Sequence, residues 1–413
     1  MTPRLHVAIV GYGTAGQTAA ILLARDGHRV EVFEQAPEPR PVGAGFLLQP
    51  TGLQVLWSMG LLAPVLSHGA PVSRLYGETV AGRGVMDMRY QGLGAGFVGL
   101  GMQRGALFEL LDQAWAGQGQ LHAGSRIVHV EPDAGRIRDE AGRGHGPFDL
   151  VIAADGAASR LRGHLAPESA AKPYPWGALW CLLPAAGWQW TDELRQRYVA
   201  ARKMIGMLPV GTRPGDGVPR LSFFWSLRSD GFEDWARAGR DAFLAEVASI
   251  WPEAEAQLGS GFDTATLARA TYRDSNLSRW HRERMVLLGD AAHAMSPQLG
   301  QGVNMALMDA LALRDALRTA DNMPAALAQY EDQRRRHVGI YQFWSRWLTP
   351  VFQSDHDWLG RLRDLAFLPL GSLPGGRGHM LRVLSGTQQG ALGKRALEAE
   401  FLAACAQAVS RRS

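Results

Sequence analysis

The chain has 413 residues, 46% of them hydrophobic and 20% charged, with 49 glycines, a composition that fits a folded α/β protein of two or three structural units and excludes a disordered or fibrous one. Its 43 basic and 39 acidic residues leave a net charge of +4 without any long run of like charge, which excludes a nucleic-acid footprint. Cys181 and Cys405 stand far apart without metal-ligand or disulfide spacing, and no apolar run reaches the roughly 18 residues of a membrane span; a cytoplasmic protein without a metal is expected.

In chain order, the apolar run Leu5 to Val10 predicts a strand, followed by a glycine turn, a helix over Thr14 to Arg25 and a second strand over Arg29 to Glu34, which together make one βαβ unit. Short strand-like pieces with many glycines occupy Pro71 to Leu100. A helix follows from Gln103, with Leu107, Leu110, Leu111 and Ala114 on one side, and then a buried strand over Phe148 to Ala154. From Lys172 to Thr271 the chain is rich in Trp, Phe and Tyr with turn signals such as Gly211 to Gly217, which predicts an antiparallel sheet crossed by helices. Met285 to Leu288 reads as another buried strand and Gln301 to Ala320 as a helix, after which the segment beyond Pro324 is mainly helical.

Gly11, Gly13 and Gly16 form a GxGxxG directly after a strand and at the opening of a helix, where the chain turns tightly and free N–H groups meet a pyrophosphate. Glu34 closes the second strand, at the distance where a carboxylate accepts hydrogen bonds from an adenosine ribose. These features predict a bound dinucleotide without saying which one.

Three further segments decide between the candidates. Arg40 is followed by Gly43-Ala44-Gly45 and Pro50; Asp155-Gly156 ends a strand and precedes Ser159, Arg160 and Arg162; Gly289-Asp290-Ala291-Ala292-His293 leads to Pro297, Gly300-Gln301-Gly302, Asn304 and Asp309. On these motifs the chain resembles the flavoprotein hydroxylases typified by p-hydroxybenzoate and salicylate hydroxylases, up to its carboxy-terminal helices. The resemblance implies that Arg40 and Gly45 lie beside a flavin and that Asp155 and Gly156 contact both FAD and NAD(P)H. It further implies that Asp290, Pro297, Gly300, Gly302 and Asn304 form the flavin-binding loop, and that Arg104 meets the FAD phosphates or ribose. A fixed carboxylate such as Asp290 suits ribityl or ribose hydroxyls, and glycines opening a long helix bring its N–H groups and positive dipole end to the flavin N1/C2 edge. His293 is read as a packing or hydrogen-bonded residue rather than an acid or base.

The fold implied is α/β: a Rossmann-like FAD-binding domain (residues 1–70, 101–171 and 272–330) with an inserted mixed or antiparallel-sheet substrate domain (71–100 and 172–271) and a carboxy-terminal helical segment (331–413). The activity implied is that of a monooxygenase with non-covalent FAD, NAD(P)H as a transient reductant and O2, hydroxylating an aromatic or electron-rich small molecule through a flavin C(4a)-hydroperoxide. The flavin carries the chemistry, so no side chain is assigned as catalytic. Alternatives of the same fold are a flavoprotein that binds a small molecule with little turnover, or a reductase or dehydrogenase. A halogenase is disfavoured, because the first 171 residues contain no lysine and Trp188-Gln189-Trp190 lacks the following Ile-Pro.

Pocket lining is expected from Leu47 to Gln49, Trp176 to Leu183, Met204 to Leu208, Leu221 to Leu227 and Met295 to Leu299. The glycines at 43 to 45 and 300 to 302 are expected to leave backbone room for the flavin to shift. An apolar helix face formed by Ile340, Phe343, Trp344, Trp347, Leu348 and Val351, preceded by Arg334-Arg335-Arg336, is expected to pack on the flavin domain, with contact to a membrane surface as the alternative. No flavin-linking cysteine or histidine motif stands out, so acid precipitation of the yellow protein is expected to release all its flavin as FAD. Flavin left on the precipitate, or FMN in the supernatant, would contradict this.

Overall fold

The computed structural model describes residues 4–40, 43–165, 171–371 and 375–410. The strand His6–Val10 is buried on both faces, so its residues do not alternate between apolar and polar; it pairs in parallel with Arg29–Phe33 on one side and Leu150–Ala153 on the other. Met285–Leu287 extends the sheet in parallel beyond Leu150–Ala153, and Gln120–His122 does so beyond Arg29–Phe33; a short antiparallel strand, His281–Arg282, completes six. The helix Thr14–Arg25 crosses between the first two strands, buries Ala15 through Leu23, and packs on the helix Gly302–Thr319.

A seven-stranded sheet stands beside this layer, in the order Ala268–Asp274, Lys172–Pro184, Asp216–Arg228, Lys203–Arg213, Glu193–Val199, Arg74–Thr79 and Gly84–Arg89. Its pairs are antiparallel except that Glu193–Val199 runs parallel to Arg74–Thr79. Period-two alternation divides its two faces. Leu179, Ile205, Phe223 and Trp225 share an outer core with Phe243 and Val247 of the helix Phe232–Ile250, whereas Ala178, Met204, Leu208 and Phe224 belong to the main core. A small antiparallel sheet of Gly45–Leu48, Gly99–Gln103 and Ala70–Val72 lies against Lys203–Arg213 and joins the two larger sheets.

The helix Met323–Phe352 corrects one expectation. Its buried stripe is Arg334, Val338, Tyr341, Ser345, Leu348 and Phe352, with Ile340, Trp344 and Val351 packed along its margin. Phe343 and Trp347 are 49% and 66% exposed. Each stands two residues beyond a buried position, about 200° round the helix, and so faces outward. Arg334, read as part of a basic lead-in, is instead 1% exposed.

The stripe is polar because it closes on a buried carboxylate. Asp309, in the Gly302–Thr319 helix, receives Gly289 N–H at 2.8 Å and His293 Nε2 at 2.6 Å on Oδ2, and Arg334 Nε at 2.6 Å on Oδ1. Arg334 also donates to His337 Nδ1 at 2.8 Å, so His337 is neutral and its Nε2–H donates to the Gly386 carbonyl at 3.0 Å. Burial would raise the Asp309 carboxyl, but His293 and Arg334 overcome it and hold the pKa at about 2. For His337, burial and the adjacent Arg334 lower the pKa from 6.5 to about 3.

A histidine with a depressed folded pKa binds a proton in the unfolded chain first. Its contribution to stability is therefore complete above pH 6.5 and falls as the pH drops toward about 3, with a limiting slope of about 1.4 kcal/mol per pH unit. The urea midpoint of the wild-type protein should accordingly fall more steeply between pH 7 and pH 5 than that of a His337→Gln variant. Parallel profiles would contradict this role.

Candidate functional site

The site is assembled at the carboxyl ends of the parallel strands. Gly11 ends the first strand at φ +103°, a conformation that favours glycine, and a Cβ there would run into the Ala154 carbonyl at the end of the neighbouring strand. Gly13 precedes the helix Thr14–Arg25, and a Cβ on it would meet open space; Gly16 lies inside that helix against the Gly11 carbonyl. Glu34 is shaped by local bonds, taking Tyr12 N–H at 2.8 Å on Oε2 and Ala36 N–H at 2.9 Å on Oε1.

Asp155 caps the turn Leu161–His164 through Oδ2, which accepts from Arg160 N–H at 3.2 Å and Leu161 N–H at 3.5 Å. Among the described residues its Oδ1 is buried without a hydrogen-bond partner, and burial raises the carboxyl above its usual range. Gly156 follows at φ +80°. Asp290 opens the short helix Asp290–His293 with its carboxylate exposed. Pro297 begins the turn Pro297–Leu299, Gly300 is left-handed, and Gly302 starts the long helix with Asp290 Oδ1 3.8 Å from where its Cβ would be.

Arg104 begins the helix Arg104–Trp115 and lies in a crevice: its surface is open to solvent, yet surrounding protein pulls its guanidinium below the usual pKa, opposed by Asp290 and Tyr272. Among the described residues that guanidinium has no hydrogen bond or ion pair. It stands 5.6 Å from the Phe46 ring centroid. The structure thus brings together Gly11, Gly13, Asp155, Gly156, Asp290, Gly302 and Arg104. Arg40 stands apart, 78% exposed and paired with Glu38.

The backbone room expected at Gly43 and Gly45 is already filled. A Cβ on Gly43 would touch the Arg104 side chain, and one on Gly45 would touch Val210 and Ser222. Only Gly300 and Gly302 face open space or a distant neighbour.

Two residues act as braces. Arg162, 3% exposed, donates to the carbonyls of Asp290 at 2.8 Å, Ala291 at 2.8 Å and Ala157 at 3.3 Å, and so ties the two acidic loops together. Asn304 has both ends of its amide engaged by backbone: Oδ1 accepts Gln49 N–H at 2.8 Å, and Nδ2 donates to Leu47 O at 3.2 Å and Gly300 O at 3.4 Å. The brace formed by Asn304 left one trace in the sequence. Gly52 stands inside the helix Pro50–Ser58, where glycine is unfavourable, because a Cβ there would strike the Asn304 side chain.

Free N–H groups at helix starts, an unpaired arginine, an exposed carboxylate and an orphaned carboxylate oxygen fit a ligand with phosphates and sugar hydroxyls. Residues 4–340 match the family described as FAD binding domain. The chain belongs to that family. Among curated relatives of this FAD-binding protein, an FAD-dependent urate hydroxylase of Klebsiella oxytoca is 30% identical over 348 residues, covering 80% of this chain and 86% of that one. A kynurenine 3-monooxygenase of Salinispora arenicola is 30% identical over 365 residues, covering 82% and 78%. Among solved structures, PqsL of Pseudomonas aeruginosa in complex with 2-aminobenzoylacetate superposes with a TM-score of 0.75 at 26% identity, covering 87% of this chain and 99% of that one. The FAD-binding protein is an FAD-dependent monooxygenase, and NAD(P)H is the reductant typical of its family. A ligand-binding flavoprotein with little turnover is not favoured. Among the described residues no helix is long and apolar enough to cross a membrane.

Asp290→Ala should weaken FAD retention by about 1.5–3 kcal/mol, the loss of a charge-assisted hydrogen bond. Asp155→Ala should weaken it less, because one oxygen of Asp155 already serves the chain itself. Flavin-fluorescence titration that returns equal affinities for the two variants would contradict this division.

Proposed function

We propose that the chain hydroxylates a small aromatic molecule whose ring lies between the FAD site and the inner face of the seven-stranded sheet. The observation that carries this reading is the convergence on one crevice of Arg104, the exposed Asp290 and the partly exposed rings of Trp180 and Tyr272, backed by the buried Phe224. Trp180 is 4.6 Å from Phe224 and donates from Nε1 to Tyr272 Oη at 3.1 Å, and Tyr272 in turn is electrostatically coupled to Arg104. FAD, when bound, supplies the electron transfer and the oxygen activation.

The chain's own residues then have separate tasks. Gly11 and Gly13, with the start of the Thr14–Arg25 helix and Arg104, would hold the phosphates, and Glu34 the adenosine ribose. Asp290 would hold ribityl or ribose hydroxyls. The first turn of the Gly302–Thr319 helix would turn its free N–H groups and positive dipole end to the pyrimidine edge and so favour negative charge there. Asn304 is assigned as the brace of that turn, and Pro297 and Gly300 shape the turn that leads into it. Gly156 allows the turn that sets Asp155 toward the cofactor, and Gly45 lets the neighbouring strand lie close against the large sheet. Trp180, Phe224 and Tyr272 orient the ring and exclude the water that would divert oxygen to peroxide. We assign residues 1–70, 101–171 and 272–330 to cofactor binding and residues 71–100 and 172–271 to substrate binding.

Anaerobic reduction of the flavin by NAD(P)H should be slow alone and at least about tenfold faster with the true aromatic substrate, a barrier change of roughly 1.4 kcal/mol. The product should carry one oxygen atom from labelled O2. Stopped-flow absorbance and mass spectrometry measure the two. Oxygen gained only from water, or dehydrogenation without oxygen, would overturn the monooxygenase reaction.

A further inference from the structure

The turn Pro297–Leu299, which leads to Gly300, lies along one face of the helix Met323–Phe352. Ser296 Oγ, just before that turn, is 2.7 Å from Ser345 Oγ and 2.8 Å from Thr349 Oγ1. At the end of the helix, Gln298 Nε2 donates to Gln353 Oε1 at 2.6 Å. Gln353 is 2% exposed, and its backbone N–H donates to the Thr349 carbonyl at 2.7 Å. The next residue, Ser354, donates its N–H to the Ala201 carbonyl at 2.8 Å, between the strands Glu193–Val199 and Lys203–Arg213 of the large sheet. The end of this helix therefore joins the turn before the long helix to the sheet.

Two donors meet here without an acceptor. Among the described residues, Gln353 Nε2 and Tyr174 Oη are both buried and lack a hydrogen-bond partner. Tyr174 belongs to the strand Lys172–Pro184, which also carries Trp180. Its hydroxyl stands beside Thr349 without an aligned hydrogen bond, because the Thr349 proton goes to the Ser345 carbonyl at 2.6 Å; burial keeps the phenol protonated. Thr349 and Gln353 are four residues apart and so are neighbours on the helix, which puts both unpartnered donors at one place. Buried donors without an acceptor are unfavourable in a protein interior unless a ligand supplies it.

The chemistry of the pair limits what the ligand can be. A carbonyl oxygen has two lone pairs and no proton of its own, so it accepts from both donors, whereas a hydroxyl would bring a further proton to be placed. An ionised carboxylate would need a countercharge, and the arginines of the adjoining segments are taken: Arg202, Arg228, Arg346 and Arg363 pair with Asp357, Asp355, Asp274 and Asp364.

We infer that Tyr174 Oη and Gln353 Nε2 form the polar end of the substrate pocket, between the turn Pro297–Leu299 and the large sheet, and together bind the carbonyl oxygen of an uncharged aromatic ketone or amide. This rests on the placement of FAD and substrate proposed above. Gln298 is a positioning residue, since its hydrogen bond sets the direction of the Gln353 amide.

The test uses the FAD-loaded full chain and two matched sets of probes: acetophenone, ethylbenzene and benzoate, and 2-acetylnaphthalene, 2-ethylnaphthalene and 2-naphthoate. Binding is read from the perturbation of the flavin absorbance. In at least one set the ketone should bind at least about tenfold tighter than both the alkyl ring and the carboxylate. Gln353→Leu and Tyr174→Phe should each reduce the advantage over the alkyl ring, and the double variant should bring it to about onefold, while FAD affinity stays unchanged. A merely structural role would weaken all members of a set equally and leave the ratio intact. A retained ketone advantage in the double variant, a matching loss of FAD affinity, tightest binding by a carboxylate, or no response to any probe would each overturn the inference. If Gln353→Leu does not fold, an unchanged ratio in Tyr174→Phe overturns it. Failure of the wild-type chain to bind FAD would instead remove the functional reading on which the inference stands.

Discussion

A carboxylate with no exposure to solvent, Asp309, holds together the parts of the chain on which the site depends. A charge in that position is tolerable only if it is paired and its oxygens are hydrogen-bonded, and Asp309 meets both conditions through Gly289 N–H, His293 and Arg334. Three successive segments therefore cannot move independently: the loop that presents Asp290, the helix from Gly302 to Thr319, and the helix from Met323 to Phe352. Through Arg334 and the neutral His337 the same constraint reaches Gly386, so the carboxy-terminal segment is fastened to the cofactor-binding layer.

Around this anchor the polar residues fall into two kinds. Asp309, Arg162 and Asn304 have their hydrogen-bonding capacity taken up by the protein and hold its loops in place. Among the described residues, Arg104, the Asp290 carboxylate and one oxygen of Asp155 are left without hydrogen-bond partners. Unpartnered groups are costly where they are buried, so their clustering near one crevice marks where a ligand belongs. The division also fits the guanidinium of Arg162 bonding to carbonyls: by clamping backbone it takes up neither the Asp290 carboxylate nor Asp155 Oδ1.

The large sheet serves the site through the difference between its faces. One face is closed by the helix Phe232–Ile250 and forms a separate aromatic core. The other packs on the main core through residues such as Phe224 and offers Trp180 and Tyr272 at its partly exposed margin. A closed outer core makes the sheet a stiff wall, which is what ring orientation and exclusion of water require.

Residues whose role depends on the backbone next to them were legible from the sequence alone. Gly11, Gly13 and Gly16 after an apolar strand, Glu34 at the next strand's end, and Asp290 before the glycines at 300 and 302 are local patterns, and each turn they predict is set by φ/ψ and by free N–H groups within a few residues. Roles that depend on a distant partner were not legible. Arg334 read as part of a basic run because its partner Asp309 lies 25 residues earlier; Phe343 and Trp347 counted toward a packed face until the position of that carboxylate fixed which side of the helix turns inward. The glycines at 43 and 45 suggested free space, but Arg104, Val210 and Ser222 fill it. Sequence therefore determined the glycine turns, since these follow from local geometry, and only the tertiary structure decided which polar groups became braces and which were left without partners among the described residues, since satisfaction of a buried hydrogen bond depends on groups brought together from across the chain.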